Sequence, residues 1–504
     1  MRRAMHVLEG LGPQEQRNTT WSFERPYDHP YFGQLFLATV LGTINYPDLA
    51  DPKIGDVNSI EMLHLIPRVL MGILAVVDTF LTYKIAERRY SRNVAFVAAI
   101  LFAVMPLGWI LRRVLLDSIL LTFLLLSILF GIHFKNKDTK TYDSPNYKIG
   151  LEKNHANRIL ISISLSGIFL GFAIFTKVSA FAIIPLVACL IYTQAASDNT
   201  YYSRYKRLKI LGLWFAPVIL IPLIWPEYAI TLGQFDEWLD GLSWQAGRSE
   251  ISIWDSLIDI LRIDPVLFLV GVAGFFYAGI VKRDVLIVLW IIPFIIFFYF
   301  VGHVRYYYWI PAIPIFCLAA AILITDLSNK IHRKKVQKIL PFAIISAIAI
   351  FGLVTTFILL ASNVNSMFFE LYAFITDLLP DFNKSNRSDN ERVVVIGSNW
   401  MQTFSWIPRY VFDEDHDFKT FLRERHLPDK NEKVLLLVDN DDLERFILSE
   451  NTDKTFVKKQ LYNSTQLVAL FKEKSTYDVS DSYPHYWIHS HPDQSKGVEV
   501  RTNY

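Results

Sequence analysis

Apolar residues in the first 361 positions come in long blocks rather than in alternation. A helix needs about 20 mostly apolar residues to cross about 30 Å of hydrocarbon. Ten blocks approach that length: 62–84, 94–110, 115–134, 159–176, 178–194, 210–226, 265–281, 285–302, 306–326 and 341–361. They predict about ten membrane-spanning helices. A further block, Tyr31 to Ile44, is too short to cross and predicts an interfacial or re-entrant helix. After Leu360 the pattern changes to mixed polar sequence with two β-like runs, 393–397 and 434–438. Helical spacing runs from Asp441 to Glu450 and again from Thr465 to Lys474. That alternation predicts a small α/β domain at 362–504, following a polytopic domain at 1–361. No internal repeat is visible.

Charge orients the blocks, because Lys and Arg accumulate in cytoplasmic loops. One alternating set of loops, which includes Arg88, Arg89, Arg92, Lys282, Arg283 and Lys330, holds 20 basic residues. The other set holds 6: Arg112, Arg113, Lys177, Arg248, Arg262 and Arg305. The first set is therefore expected to be cytoplasmic. Both termini, an outer loop at 1–61, a long outer loop at 227–264 and the α/β domain are expected outside. The glycosylation sequons at Asn18, Asn383, Asn386 and Asn463 all fall on that outer side. Nothing that would translocate residues 1–61 precedes them, so the chain is expected to lack a first helix.

Composition agrees with a membrane protein. Of the 504 residues 52% are apolar and 19% charged, against about 25% charged in soluble domains. A net charge of +2 gives a nucleic-acid partner no electrostatic support. Cys189 and Cys317 each lie in an apolar block, which argues against a disulfide framework or thiolate metal site. Walker, HExxH and G-x-S-x-G motifs are absent. Asp413 to Asp417 lacks calcium-loop spacing, and His485, His489 and His491 read as a solvated tail rather than a metal site.

Four outer segments carry candidate chemistry. Tyr27-Asp28-His29-Pro30 precedes the short apolar helix; Pro30 suits its first turn, and Asp28 or His29 falls near its N-terminus. By itself this is read more simply as an ordinary cap. Arg112-Arg113 and Asp117-Ser118 separate two blocks; Arg113 and Asp117 are one helical turn apart and can pair. Either they form an interfacial ion pair or the arginine fork is poised for a phosphate. Lys177 occupies a tight turn between blocks, where snorkelling is the simple alternative. Gly302 to Trp309 offers His303 and Arg305 within an aromatic band that reads as an interfacial belt. Together Arg113, Lys177, His303 and Arg305 suit a lipid-linked phosphate at the outer membrane surface. The acidic, Trp-bearing loop 227–264 suits sugar hydroxyls and ring faces, or is simply solvated.

The order of these motifs resembles the GT-C class of integral-membrane glycosyltransferases. The nearest branch is the protein mannosyltransferase and aminoarabinose-transferase-like enzymes, which use polyprenyl-phosphate sugars. Tyr27-Asp28-His29-Pro30 resembles the family's D-x-H-P-P segment, with Tyr31 in place of the second proline. Arg68, Arg88-Arg89, Pro106 and Arg113-x-x-x-Asp117-Ser118 resemble its next three helices. Gly171 to Lys177 resembles its G-x-x-x-x-T-K turn, and Arg305-Tyr306-Tyr307 with Pro311 and Pro314 its R-Y-x-x-x-x-x-P segment. The resemblance spans roughly residues 1–326. The family's Asp-Glu pair, which supplies the usual base, precedes a segment like Arg3 to Gly10 and is missing from this chain. An N-terminally truncated enzyme is expected, with a degenerate paralogue as the alternative.

What the resemblance implies is a mainly α, GT-C-like membrane protein with a C-terminal extracytoplasmic α/β domain. Its reaction would move a sugar from a polyprenyl or dolichyl phosphate to a protein, glycan or lipid acceptor at the outer face. Arg113, Lys177, His303 and Arg305 would bind the donor phosphate. Asp28 would be the surviving catalytic carboxylate, with His29 and Asp117 orienting. The donor carries its own activated bond, so no soluble cofactor is implied; no metal ligands are assigned, and a divalent metal stays open. A polyprenyl-lipid transporter or flippase is the competing class, although such proteins show inverted repeats and mid-span polar residues, of which Asp78 is the obvious acid here.

Overall fold

The computed structural model describes residues 1–14, 27–50, 56–108, 113–132, 145–197, 204–248, 252–330, 334–361 and 366–384. Beyond these it describes 393–397, 407, 417–420, 433–439, 443, 447, 456–472 and 497–503. The chain divides into two compact units. The helical unit comprises Pro26–Phe36 and Arg68–Thr356; the mixed unit comprises Met1–Arg25, Leu37–Pro67 and Phe357–Tyr504.

All ten apolar blocks are helical. In chain order the helices are α1 (Arg2–Leu8), α2 (Phe32–Thr43), α3 (Val57–Arg89), α4 (Arg92–Val104), α5 (Leu116–Gly131) and α6 (Pro145–Thr176). Then follow α7 (Ile184–Ser197), α8 (Arg204–Thr231), α9 (Phe235–Ala246), α10 (Ile253–Ile263) and α11 (Pro265–Phe276). The last are α12 (Val285–Val301), α13 (Ile313–Asn329), α14 (Lys334–Ala361), α15 (Ser366–Lys384) and α16 (Phe456–Asn463). Among the described residues four helices are long and apolar enough to cross a membrane: Val57–Arg89, Asn157–Thr176, Arg207–Thr231 and Tyr306–Asn329. The pair Ile253–Ile263 and Pro265–Val281, bent by 118°, raises the number to as many as five; the remaining blocks form apolar helices of 10–17 residues. The protein is an integral membrane protein. Its α3 shows why: Val69, Ile73, Val76 and Phe80 form an exposed apolar stripe, while Met71, Leu74, Asp78 and Ile85 face inward.

Short-range chemistry sets the helix ends. Ser91 caps α4 by accepting from the Val94 N–H. Gly302 ends α12 in the left-handed region at φ 70°. Pro311 lies in a 3₁₀ turn, Tyr306–Ala312, that leads into α13. Long-range hydrogen bonds then set helix register. Ser127 and Ser166 donate to each other's backbone carbonyls at 2.8 Å, and Ser162 donates to the Phe130 carbonyl. These bonds lock α5 against α6, in the manner of polar side chains between membrane helices. The guanidinium of Arg88 donates to the Leu129 carbonyl at 2.9 Å, satisfying an end group of α5 and fixing α3 alongside it.

The long segment 227–264 is not an open loop. It holds the end of α8, all of α9 and α10, and two of its acids serve as caps. Asp255 forms a capping box with Ser252. Asp264 is fully buried and accepts from the N–H groups of Leu267 and Leu107. Trp238 packs in an aromatic core with Trp225, while Trp254 is exposed at 70%. The sugar-contacting reading of this segment therefore gives way to a structural one for Asp255, Asp264 and Trp238.

In the mixed unit, the described residues form a five-stranded sheet ordered β2-β1-β3-β5-β4. The strands are β1 (Val393–Gly397), β2 (Asp417–Thr420), β3 (Lys433–Asp439), β4 (Gln466–Lys472) and β5 (Gly497–Thr502). β1 is parallel to β2 and β3; β5 is antiparallel to β3 and β4. The two β-like runs of the sequence are β1 and the fully buried β3, which carries a continuous apolar run as an inner strand should. The helical spacing expected from Thr465 to Lys474 is overturned. Gln-Leu-Val-Ala-Leu-Phe-Lys is a strand, because β5 offers it an antiparallel ladder, interrupted only by a bulge between Leu467 and Ala469; the helix lies just upstream at α16. The segment Asp441–Glu450 falls mostly outside the described residues, as do Asp413 to His416 and the three C-terminal histidines.

Candidate functional site

The site is built within the helical unit where five chain segments meet. Antiparallel α5 and α6, held by their serine clamp, bring the start of α5 beside the residue that follows α6. Lys177 leaves α6 in extended conformation, and its ammonium reaches both oxygens of Asp117 at 2.8 and 3.0 Å. Both side chains are buried. Asp117 lies in the first turn of α5, where the helix dipole favours an anion. The pairing expected between Arg113 and Asp117 does not form, because α5 begins only at Leu116 and Arg113 lies outside the helix. Its guanidinium instead donates to the Tyr306 hydroxyl at 2.5 Å.

The segment 306–308, read from sequence as an interfacial belt, turns out to be the centre of the site. Lys177 Nζ stands 3.6 Å from the centroid of the Tyr308 ring, a cation–π contact. The His303 ring meets the same tyrosine edge-on at 6.3 Å. Arg305, Lys177 and Asp117 all act electrostatically on Tyr307, and Arg248 acts on Tyr308. The turn itself is held by Trp309, whose indole N–H donates to Ser256 of α10 at 2.8 Å, and by Trp290, which donates to the Pro311 carbonyl. Arg305 is exposed, Arg113 half-buried and His303 buried.

The Asp28 segment joins this group through two close approaches. At Gly33 an added Cβ would lie 2.7 Å from Leu116 and 2.8 Å from Thr176, the neighbours of Asp117 and Lys177. At Gly241 of α9 a Cβ would lie 2.6 Å from the Tyr27 carbonyl. Tyr27 and Tyr31 pack on Phe175 and Trp225, and the Tyr27 hydroxyl donates to Gln234 at 2.6 Å. Burial, reinforced by Tyr228, Glu237 and Tyr31, pushes the Tyr27 hydroxyl up to about 12, so it remains a donor at neutral pH. Asp28 is 6% exposed and His29 half-buried.

The structure thus brings Asp117, Lys177, Arg113, His303 and Arg305 around one tyrosine turn, with Asp28 and His29 on the adjoining segment. Sequence reasoning missed three members. Arg248, which lies 4.5 Å over Trp244 and bonds to Gln245, was one of six basic residues in the sparsely charged set of loops. Tyr306 and Tyr308 were hidden among aromatics that any membrane interface carries. Among the described residues no group of three or more His, Cys, Asp or Glu is placed to hold a metal ion.

Residues 27–233 match the family described as dolichyl-phosphate-mannose-protein mannosyltransferase. The chain is similar in structure to ArnT from Cupriavidus metallidurans in the apo state, with a TM-score of 0.50 and 12% identity over 100% of this chain and 93% of that one. ArnT bound to undecaprenyl phosphate gives 0.51 and 12% over 100% and 92%. The Archaeoglobus fulgidus oligosaccharyltransferase tethered with an acceptor peptide gives 0.51 and 12% over 88% and 64%. No curated protein sequence matches the chain.

Proposed function

We propose that this chain, whose fold is that of the GT-C membrane glycosyltransferases, moves a sugar from a polyprenyl-phosphate donor to a hydroxyl- or amide-bearing acceptor at the extracytoplasmic face. A hexose such as mannose is the donor sugar in this reading, and a protein, glycan or lipid is the acceptor. The observation that carries it is the set of cations gathered on the Tyr306–Tyr308 turn beside two buried carboxylates. One charge of that set is already committed, since Lys177 neutralises Asp117. In this reading Arg113 and Arg305, with Arg248 and His303, bind the donor phosphate. Lys177 contributes as a fixed dipole with Asp117 and as the anchor of Tyr308.

In the reaction the acceptor atom bonds to the sugar C1 while the C1–O bond to phosphate breaks, and polyprenyl phosphate leaves with the electron pair. The guanidinium groups stabilise the charge that develops on the leaving oxygen. The acceptor proton passes to a carboxylate, for which Asp28 is the proposed base. No nucleotide or redox group takes part in this scheme.

A transfer assay with radiolabelled polyprenyl-phosphate hexose, run on the chain in native membranes, tests the reading. Wild type should transfer label to acceptor, and Arg113→Ala and Arg305→Ala should lose most of that rate. Equal transfer by Arg113→Ala would remove the phosphate role. Wild type that binds the donor without ever transferring it would favour a carrier or an inactive relative.

A further inference from the structure

A second charged cluster lies at the other end of α12. That helix starts at Val285 and runs 17 residues, about 25 Å, before it reaches Gly302 and the tyrosine turn. Four helix ends meet here. Arg89 closes α3, a single π turn at Tyr277–Val281 follows α11, Asp284 caps α12, and Lys330 follows α13. Measured contacts tie them into one patch. Arg89 pairs with Asp284 at 3.3 Å and Lys282 with Asp326 at 2.7 Å. The Tyr277 hydroxyl donates to the same Asp326 at 3.3 Å. The ammonium groups of Lys282 and Lys330 stand 5.9 and 5.7 Å from the centroid of the Tyr277 ring.

The charges in this patch do not balance. Arg89, Lys282, Arg283 and Lys330 are all exposed, and its two carboxylates are already held by Arg89 and Lys282. Arg283 and Lys330 have no ion pair among the described residues, so two positive charges are in surplus. Arg283 also sits at φ 54°, in the left-handed region that suits glycine and strains a longer side chain. Glycine would make this turn more easily; the chain carries an exposed arginine instead. Non-glycine residues held in such strain cluster at sites of function.

The cations stand where the lipid-facing surface ends. Ile280, Val281, Val285 and Leu327 are apolar and each more than half exposed, and they flank Lys282, Arg283 and Lys330 in the chain. Acyl chains cover such side chains in a membrane, and basic residues at that level meet lipid phosphates. Simple snorkelling explains exposed cations at helix ends. It does not explain a strained arginine beside two lysines gathered on one tyrosine.

We infer that Arg283 and Lys330, framed by Arg89, Lys282 and Tyr277, bind the headgroup of an anionic phospholipid whose acyl chains lie along Ile280, Val281 and Leu327. Surplus positive charge selects an anion, and the adjoining apolar surface selects a lipid over a soluble phosphate. The site lies a helix length from the tyrosine turn and does not depend on the glycosyltransferase reading.

Native mass spectrometry of the purified full chain in a neutral maltoside detergent tests this, with dioleoylphosphatidylglycerol titrated against dioleoylphosphatidylcholine. Phosphatidylglycerol should bind about 10–25-fold more tightly, and Lys330→Gln or Arg283→Gly should each weaken it about fivefold, the worth of one basic residue at an anionic surface. Arg283→Gly should unfold at the same or a higher temperature without lipid, because it relieves the strain, so its weaker binding is not a folding defect. Arg92→Gln, which removes an exposed cation paired with Glu87 at 3.4 Å, should bind like wild type. Equal binding of the two lipids overturns the site. An equal loss in Arg92→Gln, or none in Arg283→Gly and Lys330→Gln, overturns its assignment to this patch. Displacement of phosphatidylglycerol by equimolar glycerol 3-phosphate would make a soluble anion the ligand and overturn the lipid.

Discussion

Two buried carboxyl groups meet α5 at different heights and are treated in opposite ways. Asp117 opens the helix, where unpaired backbone N–H groups and the dipole favour negative charge, and Lys177 covers both of its oxygens. Asp78 meets the same helix at Thr122, where every backbone donor is used within the helix, and no charged side chain among the described residues acts on it. The upper acid forms a fixed ion pair whose ammonium also grips Tyr308; the lower acid is buried within its span. A helix end supplies partners for a charge, and a helix middle does not.

The sharpest way to break this contrast is to strip Asp117 of its partner. Lys177→Met should destabilise the protein by about 3–5 kcal/mol, because it leaves a buried carboxylate unpaired. Pairing it with Asp117→Leu should recover much of the loss, and a thermal-unfolding double-mutant cycle measures the difference. Equal losses in single and double variants would mean that the pair is not electrostatically coupled. Next in size is the effect of Arg113→Ala on transfer. Removing a charged hydrogen-bond donor should lower kcat/KM for the polyprenyl-phosphate sugar by about 10–100-fold, that is about 1.5–3 kcal/mol. Unfolding temperature should hardly move, since Arg113 is only half-buried.

Gly241→Ala tests the packing that holds the Asp28 segment in place. Its methyl group would meet the Tyr27 carbonyl at 2.6 Å, so a loss of about 1–3 kcal/mol in stability is expected, together with weaker acceptor turnover. The smallest effect concerns pH. Tyr27 is raised to about 12 in the folded protein by burial first and nearby Tyr and Glu charges second. A group raised on folding contributes stability that is complete below its unfolded value of about 10 and is lost as pH climbs through 12. Unfolding curves should therefore be flat in Tyr27 from pH 7 to 9 and fall above pH 10. Tyr27→Phe should flatten that alkaline fall.

Much of the architecture was legible in the chain because membrane helices announce themselves locally. Each apolar block became helix, and the 31–44 block became the short α2. β1 and β3 were legible for the same reason, as apolar runs buried on both faces. β4 was not: its seven residues read as helix until β5, 25 residues beyond the end of β4, supplied the ladder that makes them a strand. The cations of the site were legible one at a time, as basic residues on the poorly charged side of the membrane. Their pairing was not, since one-turn spacing suggested Arg113 with Asp117 while the fold placed Arg113 outside the helix.

The sequence by itself determined that this is a membrane protein, where its helices run and which residues between them carry charge. Those properties follow from transfer of local apolar stretches out of water, which needs no knowledge of neighbours. Only the tertiary structure decided which charges meet which partners. Lys177 meets Asp117 across 60 positions, Arg113 meets Tyr306 across 193, and Asp78 meets no charged side chain among the described residues. Charge pairing falls off with distance in space, and distance in space is set by how α3, α5, α6 and the Tyr306 turn pack.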